Sequence, residues 1–188
     1  GWAITSAEQG LHPERYGAVV LAVPAPQAAP LLAPVSPAGA AVAASAPMCG
    51  SWAVMMRYAA PLAMPWEGAF INTGPLRWVA RDSSKPGRTG PETWLLHAST
   101  EWSDAHMEDD ADAVTAALIA AFVALGGPAP LAATAHRWRY ADTEPPLALG
   151  SWWDASLRLG MCGDWLNGGK AEGAWLSGRA LAQQVQAA

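Results

Sequence analysis

The sequence lacks the features that mark several common classes of protein. Its two cysteines, Cys49 and Cys162, are too few to make a zinc site by themselves or a disulfide scaffold. Only 14% of its 188 residues are charged, the formal net charge is −5, and Lys and Arg are not clustered. This composition argues against nucleic acid or an anionic membrane as a partner. We therefore expect a small-molecule ligand, and a protein of the reducing cytoplasm.

Neither a membrane segment nor a secretory segment is recognisable. Proline and glycine interrupt the longest apolar runs, which are too short to cross a bilayer. The first residues, Gly1 to Thr5, do not form a charged region followed by an apolar one. No two glycines are separated by a single residue, so the dinucleotide-binding pattern GxGxxG is absent.

The histidines do not have the spacing of a catalytic or metal-binding motif. His12, His97 and His106 lie in different sequence contexts, without HxxxH spacing or an acidic residue at ligand spacing along a helix. Ser51 and Ser177 lack a GxSxG context. We therefore expect no metal and no nucleophilic catalysis.

Apolar residues are abundant, and their periodicity predicts alternating strands and helices. At 52% hydrophobic residues, including 11 tryptophans, the chain has ample material for a core. Alternation from Ser51 to Ala59 predicts a strand with Trp52, Val54, Met56 and Tyr58 on one face. Helical spacing and an acidic first turn predict a helix from Asp109 to Leu125. The remaining predictions are strands at Ala18 to Val23, Ala69 to Asn72, Leu76 to Asp82, Thr93 to Ser99 and Leu131 to Ala141, and a short helix at Pro24 to Leu32.

The C-terminal segment has the pattern of a ligand site. An apolar strand (Leu157, Leu159, Met161) leads into Gly163-Asp164, then a Gly168-Gly169 turn, then a helix predicted from Gly169 to Gln186. Glycine permits a ligand to approach the backbone closely, and a helix N-terminus presents unpaired N–H groups. The helix places Ala171, Ala174, Gly178, Leu181 and Val185 on one stripe. Small residues at Gly173, Ala174, Ser177 and Gly178 are expected to allow close packing of the helix. Taken alone, Asp164 is equally explained as a loop aspartate that caps the helix.

The sequence GDWLNGGKAEGAWLSG, from Gly163 to Gly178, resembles the C-terminal flavin motif of FAD-dependent amine-oxidase-type oxidoreductases, particularly their renalase-like branch. Four upstream segments occur in the order that this family would have: VVLAVPAPQAAPLL, WVARDSSKPGR, WLLHASTEWSDAH and HRWRYA. The resemblance implies that this chain is the C-terminal part of such an enzyme, without the family's N-terminal βαβ unit. It also implies a partner, either that missing N-terminal portion or a second copy of the chain.

The resemblance implies an α/β fold. We expect a partial FAD/NAD(P)-binding fold with an inserted, mainly antiparallel sheet domain of the α+β kind. Residues 1–34 would belong to the FAD-binding domain, 35–150 to the substrate-binding domain and 151–188 to a C-terminal FAD-binding segment. The bound cofactor would be FAD.

The resemblance also implies the cofactor residues. The acidic residue of the family's Gly-Asp pair contacts the ribityl-phosphate region of FAD, which assigns that contact to Asp164. The helix that starts near Lys170 would aim its N–H groups at the pyrimidine edge of the flavin. Glu172 is equally explained as a residue favoured by the helix dipole. The expected cofactor-binding residues are Gly163, Asp164, Gly168, Gly169, Lys170, Glu172 and Gly173.

The HRWRYA strand is the predicted substrate wall. Strand alternation places His136, Trp138 and Tyr140 on one face, and Arg137 and Arg139 on the other. An aromatic face with one histidine suits a planar nicotinamide-like or aromatic substrate; a packed sheet face with a hydrogen-bonded histidine is the alternative. In the family, the strand at this position leads back toward the flavin. The resemblance therefore leads us to expect His136 and Trp138 to be catalytic.

Two functions follow from these observations. The first is an FAD-dependent oxidoreductase that takes hydride from an amine or a reduced nicotinamide-type molecule and passes electrons to oxygen. The second is a non-catalytic binding module that retains the substrate domain of such an enzyme. The absent GxGxxG favours the second, and the complete motif from Gly163 to Gly178 favours the first.

Overall fold

The chain forms two structural units in a computed structural model that describes residues 1–71 and 73–188. The first unit comprises Gly1–Met48 and Asp142–Ala188, and the second comprises Cys49–Ala141. The second unit is thus inserted between the two segments of the first. The sequence placed its domain boundaries near 34/35 and 150/151, and the cofactor and substrate roles assigned to these domains stay predictions.

The first unit is built around a small mixed sheet. The strands of the unit are β1 (Thr5–Ser6), β2 (Gly10–Leu11), β3 (Val19–Leu21), β9 (Trp152–Asp154) and β10 (Leu159–Met161). Strands β1 and β2 pair with each other, and β3, β10 and β9 form the mixed sheet. The helices of the unit are α1 (Ala25–Leu32), α2 (Pro37–Ala44) and α5 (Ala171–Ala187). Strands β3 and β10 pair in parallel, with Leu159 opposite Val19, and β9 pairs antiparallel with β10. The two ends of the chain therefore share one sheet.

Buried apolar side chains hold α1 and α2 against this sheet. Leu32, Met161 and Trp165 are almost fully buried in one cluster, and the Trp165 indole Nε1 donates a 3.1 Å hydrogen bond to the carbonyl of Val23. A buried indole usually needs such a partner. Trp165, which follows the Gly163-Asp164 pair, is therefore a core residue that holds the turn after β10 in place.

One local sequence prediction in this unit was wrong. Strand β10 begins at Leu159 and not at Leu157, because the Asp154 carboxylate accepts hydrogen bonds from the backbone N–H groups of Ser156 and Leu157 and holds them in a turn. Of the stripe predicted on α5, Leu181 is buried and Ala171 is exposed.

The residues of α5 that are buried are Gly173, Ser177 and Leu181. These positions follow a spacing of four residues, so they lie on one face of the helix. The small residues Gly173 and Ser177 allow the neighbouring loop to come closer than larger side chains would permit.

The second unit contains a five-stranded sheet. Its elements are β4 (Met48–Tyr58), β5 (Gly68–Phe70), β6 (Leu76–Arg81), β7 (Glu92–Ala98), α3 (Thr100–Ala105), α4 (Ala111–Ala124) and β8 (Ala132–Thr143); the first residue of β4 and the last two of β8 are counted in the first unit. The strand order is β5-β6-β7-β4-β8, and the pairs β5/β6, β6/β7 and β4/β7 are antiparallel. The predicted α/β class with an inserted, mainly antiparallel sheet is confirmed. Asn72, the end of one predicted strand, lies outside the described residues.

One face of this sheet packs against α4. Trp52, Val54, Met56 and Tyr58 are buried, as the alternation predicted, together with Val114, Leu118 and Phe122 of the helix. Helix α4 starts after Asp110, whose carboxylate accepts hydrogen bonds from the backbone N–H groups of Asp112 and Ala113. In residues 1–71 and 73–188, no helix is both long and apolar enough to cross a bilayer.

Candidate functional site

The face of the five-stranded sheet that points away from α4 forms a cavity of about 940 Å³ within the second unit. Such a volume is in the range of pockets that bind small molecules. Three strands supply its floor, and the segment between β6 and β7 supplies a flank. The floor residues are Ala53, Met55 and Arg57 of β4, Thr93, Leu95 and His97 of β7, and Ala132, Thr134, His136 and Trp138 of β8.

The strand register orders the floor residues. Across β4 and β7, Ala53 lies opposite His97, Met55 opposite Leu95, and Arg57 opposite Thr93. Because alternate residues point to the same face of a sheet, these three pairs form successive rows along the cavity. The cavity therefore has a guanidinium row at one end, an apolar row in the middle and an imidazole row at the other end.

Arg57 and His97 supply polar groups that the protein itself does not use. Among the described residues, no carboxylate forms an ion pair with Arg57 and no side chain hydrogen-bonds to the His97 ring. Burial, and then the charges of Arg77 and Lys85, lower the pKa of His97. The imidazole is therefore held in its neutral form at pH 7, with both ring nitrogens able to meet a ligand.

The flank of the cavity carries a second arginine, Arg88, which shares the carboxylate of Asp82 with Lys85. The Asp82 carboxylate lies 2.5 Å from Nη1 of Arg88 and 2.7 Å from Nζ of Lys85. A hydrogen bond from Lys85 is the largest cause that lowers the pKa of Asp82. This exposed cluster ties the two sides of the turn together.

The predicted catalytic pair, His136 and Trp138, lies in the floor of the cavity. The rings of His136 and Trp138 meet edge to face, with their centroids 4.3 Å apart, and Trp138 is 54% exposed. On the opposite face, Arg137 and Arg139 pair with Glu108. The predicted alternation of this strand is confirmed; the catalytic role of His136 and Trp138 stays a prediction.

The predicted cofactor residues lie in the first unit, between β10 and the first turn of α5. Asp164 is half-buried and begins a short 3₁₀ helix to Leu166. Its backbone carbonyl accepts hydrogen bonds from the N–H groups of Asn167 and Gly169, at 2.8 and 2.9 Å. In the part of the chain that the structure describes, no side chain donates to the Asp164 carboxylate. That carboxylate is free to accept hydrogen bonds from the hydroxyl groups of a ligand.

Two glycines of the segment are explained by the packing of the chain itself. A Cβ atom on Gly173 would lie 1.8 Å from the carbonyl oxygen of Asn167, and one on Gly163 would lie 2.7 Å from Nε1 of Trp165. The Asn167 side-chain amide also donates a 3.2 Å hydrogen bond to the carbonyl of Gly173. These two positions require glycine with or without a cofactor, while their contact with FAD stays a prediction.

The turn that leads into α5 has the features of a ligand cradle. Gly168 and Gly169 have φ values of 81° and 67°, which favour glycine. Lys170 precedes the helix, and no side chain caps its N-terminus. Close to Gly169, the hydroxyl of Thr143 is buried without a hydrogen-bond partner in residues 1–71 and 73–188. Unpaired donors at a helix start are suited to electron-rich ligand atoms. Glu172 is exposed in the first turn of this helix.

Arg57 was not among the site residues predicted from the sequence, and no role was predicted for His97. The signal was present, because the alternation that buries Trp52, Val54 and Met56 necessarily turns Met55 and Arg57 to the other face. That His97 joins the same face depends on the pairing of β4 with β7, which no local pattern reveals. Across the described residues, no group of three or more His, Cys, Asp or Glu side chains is arranged to hold a metal ion.

The fold is shared with solved structures of two oxidases. A protein assigned as a protoporphyrinogen oxidase, from Exiguobacterium sp. 255-15, matches with a TM-score of 0.73 and 11% sequence identity, over 96% of this chain and 43% of that one. Cyclohexylamine oxidase from Brevibacterium oxydans IH-35A matches with a TM-score of 0.65 and 17% identity, over 94% and 44%. This chain therefore spans less than half the length of either protein. No family model matches the sequence.

Proposed function

We propose that this chain is part of an FAD-dependent oxidoreductase of the amine-oxidase type, of its renalase-like branch. The observation that carries the proposal is the uncapped N-terminus of α5, which follows the Gly168-Gly169 turn and a strand of a parallel pair. The two solved structures described above share the fold and are named as oxidases. A glycine turn that opens an uncapped helix is a recurrent means of binding nucleotide cofactors.

The residues of the first unit fit a flavin cofactor. The Asp164 carboxylate would accept hydrogen bonds from ribityl hydroxyls, and Gly168 and Gly169 would let the backbone approach the cofactor. The N–H groups at Lys170 and the first turn of α5, beside Glu172 and Gly173, would stabilise negative charge on the flavin. Gly163 would act indirectly, because it leaves room for the Trp165 ring that anchors the turn. The buried Thr143 hydroxyl supplies a further polar group, which has no hydrogen-bond partner within the described part of the chain.

The residues of the second unit fit substrate binding. FAD, when bound, accepts hydride from the substrate and passes the electrons to oxygen. His136 and Trp138 would form the wall against which a planar amine or reduced nicotinamide-type substrate lies. Their edge-to-face contact fixes both rings, so the wall is ordered before the substrate arrives. Met55 and Leu95 would supply the apolar floor and exclude water.

The flavin site is proposed to be completed by a further portion of protein. Strand β3 lies at the edge of the sheet order β3-β10-β9, and Val20 in it is 46% exposed. An edge strand presents unpaired N–H and C=O groups that another strand can satisfy. A dinucleotide-binding portion of protein, or a second copy of this chain, is the partner that we propose for this edge.

Titration of the purified chain with FAD tests the cofactor. We expect quenching of flavin fluorescence and a yellow protein after removal of free FAD. The Asp164→Ala variant should bind FAD more weakly, by roughly tenfold for the loss of hydrogen bonds to a charged acceptor. Gly178→Ala is the matched control, since a Cβ atom there meets no other atom within 4 Å. A protein that is colourless after incubation with millimolar FAD and removal of the free FAD would contradict cofactor binding.

A binding module without catalysis is the second candidate. One observation favours it: every residue that lines the cavity belongs to the second unit, so the cavity itself requires no residue of the proposed flavin site. Under this alternative, small molecules would bind with the same affinity whether or not FAD is present. A redox change of added FAD in the presence of a substrate would exclude it.

A further inference from the structure

The cavity of the second unit carries a charge opposite to that of the whole chain. Two arginines and one aspartate line it, whereas the chain has a formal net charge of −5. Asp82 lies 2.5 Å from Arg88 and also pairs with Lys85, so Arg57 is the lining arginine that no carboxylate of the described residues pairs with. An arginine on a cavity wall without a carboxylate partner is suited to a planar anion, which it can bind through two parallel hydrogen bonds.

The end of the cavity opposite Arg57 is built differently. His97 lies across from Ala53, which is four residues from Arg57 along β4. At the rise of a β-strand, this separation is about 13 Å. His97 and His136 supply imidazole rings at this end, and the exposed ring of Trp138 lies beside His136.

The floor between these two ends is apolar. Met55 lies opposite Leu95 in the register of β4 and β7, and Met55 is 42% exposed on the cavity side. A thioether and a branched aliphatic side chain pack well against a flat ring. The distribution of polar and apolar groups along the cavity therefore matches an elongated molecule that is anionic at one end and aromatic along its length.

We propose that this cavity binds an elongated aromatic carboxylate, with its anionic group on Arg57 and its planar body over Met55 and Leu95, toward His97.

 The carboxylate pairs with the guanidinium of Arg57, and the aromatic body covers Met55 and Leu95 and ends beside His97. This inference deepens the proposed function, on which its status as a substrate site rests. Of the two substrate classes named there, it disfavours the protonated amine, which the charge of Arg57 would repel.

Calorimetric titration without FAD tests the inference with three probes of the same shape. These are biphenyl-4-carboxylate, biphenyl-4-carboxamide and biphenyl-4-methanamine. We expect the carboxylate to bind roughly tenfold or more tightly than the carboxamide, since hydrogen bonds to a charged group are the stronger kind. The methanamine should bind more weakly than either.

Two variants assign the effect to one arginine. Arg57→Gln should abolish the preference for the carboxylate over the carboxamide and leave the carboxamide affinity unchanged. Arg139→Gln is the matched control, because Arg139 pairs with Glu108 and does not line the cavity. Arg57 is exposed and its guanidinium pairs with no carboxylate of the described residues, so its replacement should leave the thermal unfolding midpoint unchanged.

Three results would overturn the inference: no binding of the carboxylate at millimolar concentration, equal affinities for carboxylate and carboxamide, or a preference that survives Arg57→Gln. None of them depends on flavin. If the chain binds the carboxylate through Arg57 but never binds FAD, the proposed function is refuted and this inference stands. If the chain binds FAD but shows no preference for the carboxylate, this inference is refuted and the proposed function stands.

Discussion

The buried hydroxyl of Ser177 accepts a 3.1 Å hydrogen bond from the backbone N–H of Gly163. Ser177 is fully buried in the middle of α5, and Gly163 opens the turn after β10. This bond ties the helix to the end of the strand. The position of the Gly168-Gly169 turn between them therefore depends on a side chain that contacts no ligand in the proposed function.

Replacing Ser177 by Ala should lower the free energy of unfolding by about 1–3 kcal/mol, because the N–H of Gly163 would lose its partner. Urea unfolding followed by circular dichroism measures the change. Ser6→Ala is a suitable control, since Ser6 is exposed and should change stability by less than about 0.5 kcal/mol. Equal effects of the two substitutions would show that the bond contributes nothing.

Two glycines of α5 should respond in opposite directions to replacement by Ala. A Cβ atom on Gly173 would lie 1.8 Å from the carbonyl oxygen of Asn167, so the loop or the helix must move. A Cβ atom on Gly178 meets nothing within 4 Å, and Ala is the better helix former by up to about 1 kcal/mol. We expect Gly173→Ala to lower the thermal unfolding midpoint and Gly178→Ala to raise it. A stabilising Gly173→Ala would refute the close approach of the loop.

Glu92 holds together the start of β7 and its neighbours. Its side chain is 7% exposed, and its Oε1 lies 3.0 Å from Nε of Arg81. Burial alone would raise the pKa of Glu92, but hydrogen bonds from Trp94, Leu62 and Ser83 and the charge of Arg81 lower it overall. Glu92→Gln should therefore destabilise the fold by about 2–4 kcal/mol at pH 7, since it leaves a buried charge unpaired.

The pH dependence of stability checks the same interaction. Because the pKa of Glu92 is lower in the folded state than in the unfolded state, its contribution is present above the unfolded value and is lost as the pH falls through the folded value. The wild type should lose more stability on acidification than Glu92→Gln does. Parallel curves for the two proteins would count against the ion pair.

Tyr58 should ionise at unusually high pH. Burial, and then the charge of Glu92, raise its pKa from 10.0 to about 12. The folded state therefore keeps its proton above pH 10 while the unfolded state releases it, so this group costs stability as the pH rises from 10 toward 12. The difference in ultraviolet absorption between wild type and Tyr58→Phe should show the tyrosinate near pH 12. In Glu92→Gln the transition should move to lower pH.

His97 should make the fold less stable in mild acid. Burial, and then the charges of Arg77 and Lys85, lower its pKa below the ordinary histidine value of 6.5. Below that value the unfolded chain binds a proton that the folded chain does not, so stability falls as the pH drops. His97→Gln should lose less stability than the wild type between about pH 7 and pH 5 in urea unfolding experiments. An unchanged slope would contradict the burial of the neutral imidazole.

Local patterns predicted most of the elements and one wall of the cavity. The alternation in β4 separated the buried Trp52 and Met56 from the opposite face, and the alternation in β8 separated His136 and Trp138 from Arg137 and Arg139. Both follow from the two-residue period of a strand. The small residues Gly173 and Ser177 predicted close packing of α5, but no local pattern revealed that Asn167 and Gly163 are the residues they meet.

By itself, the sequence determined the alternation of strand faces, the limits of α4 and the glycine turn before α5, because each depends on residues close together in the chain. Only the tertiary structure decided that β4 pairs with β7 and so brings Arg57, Met55 and Leu95 into one cavity with His97. It also decided that Gly173 meets Asn167 and that Ser177 binds Gly163. Strand pairing and close packing join residues distant in sequence, and the free energy that selects them depends on contacts that no local pattern contains.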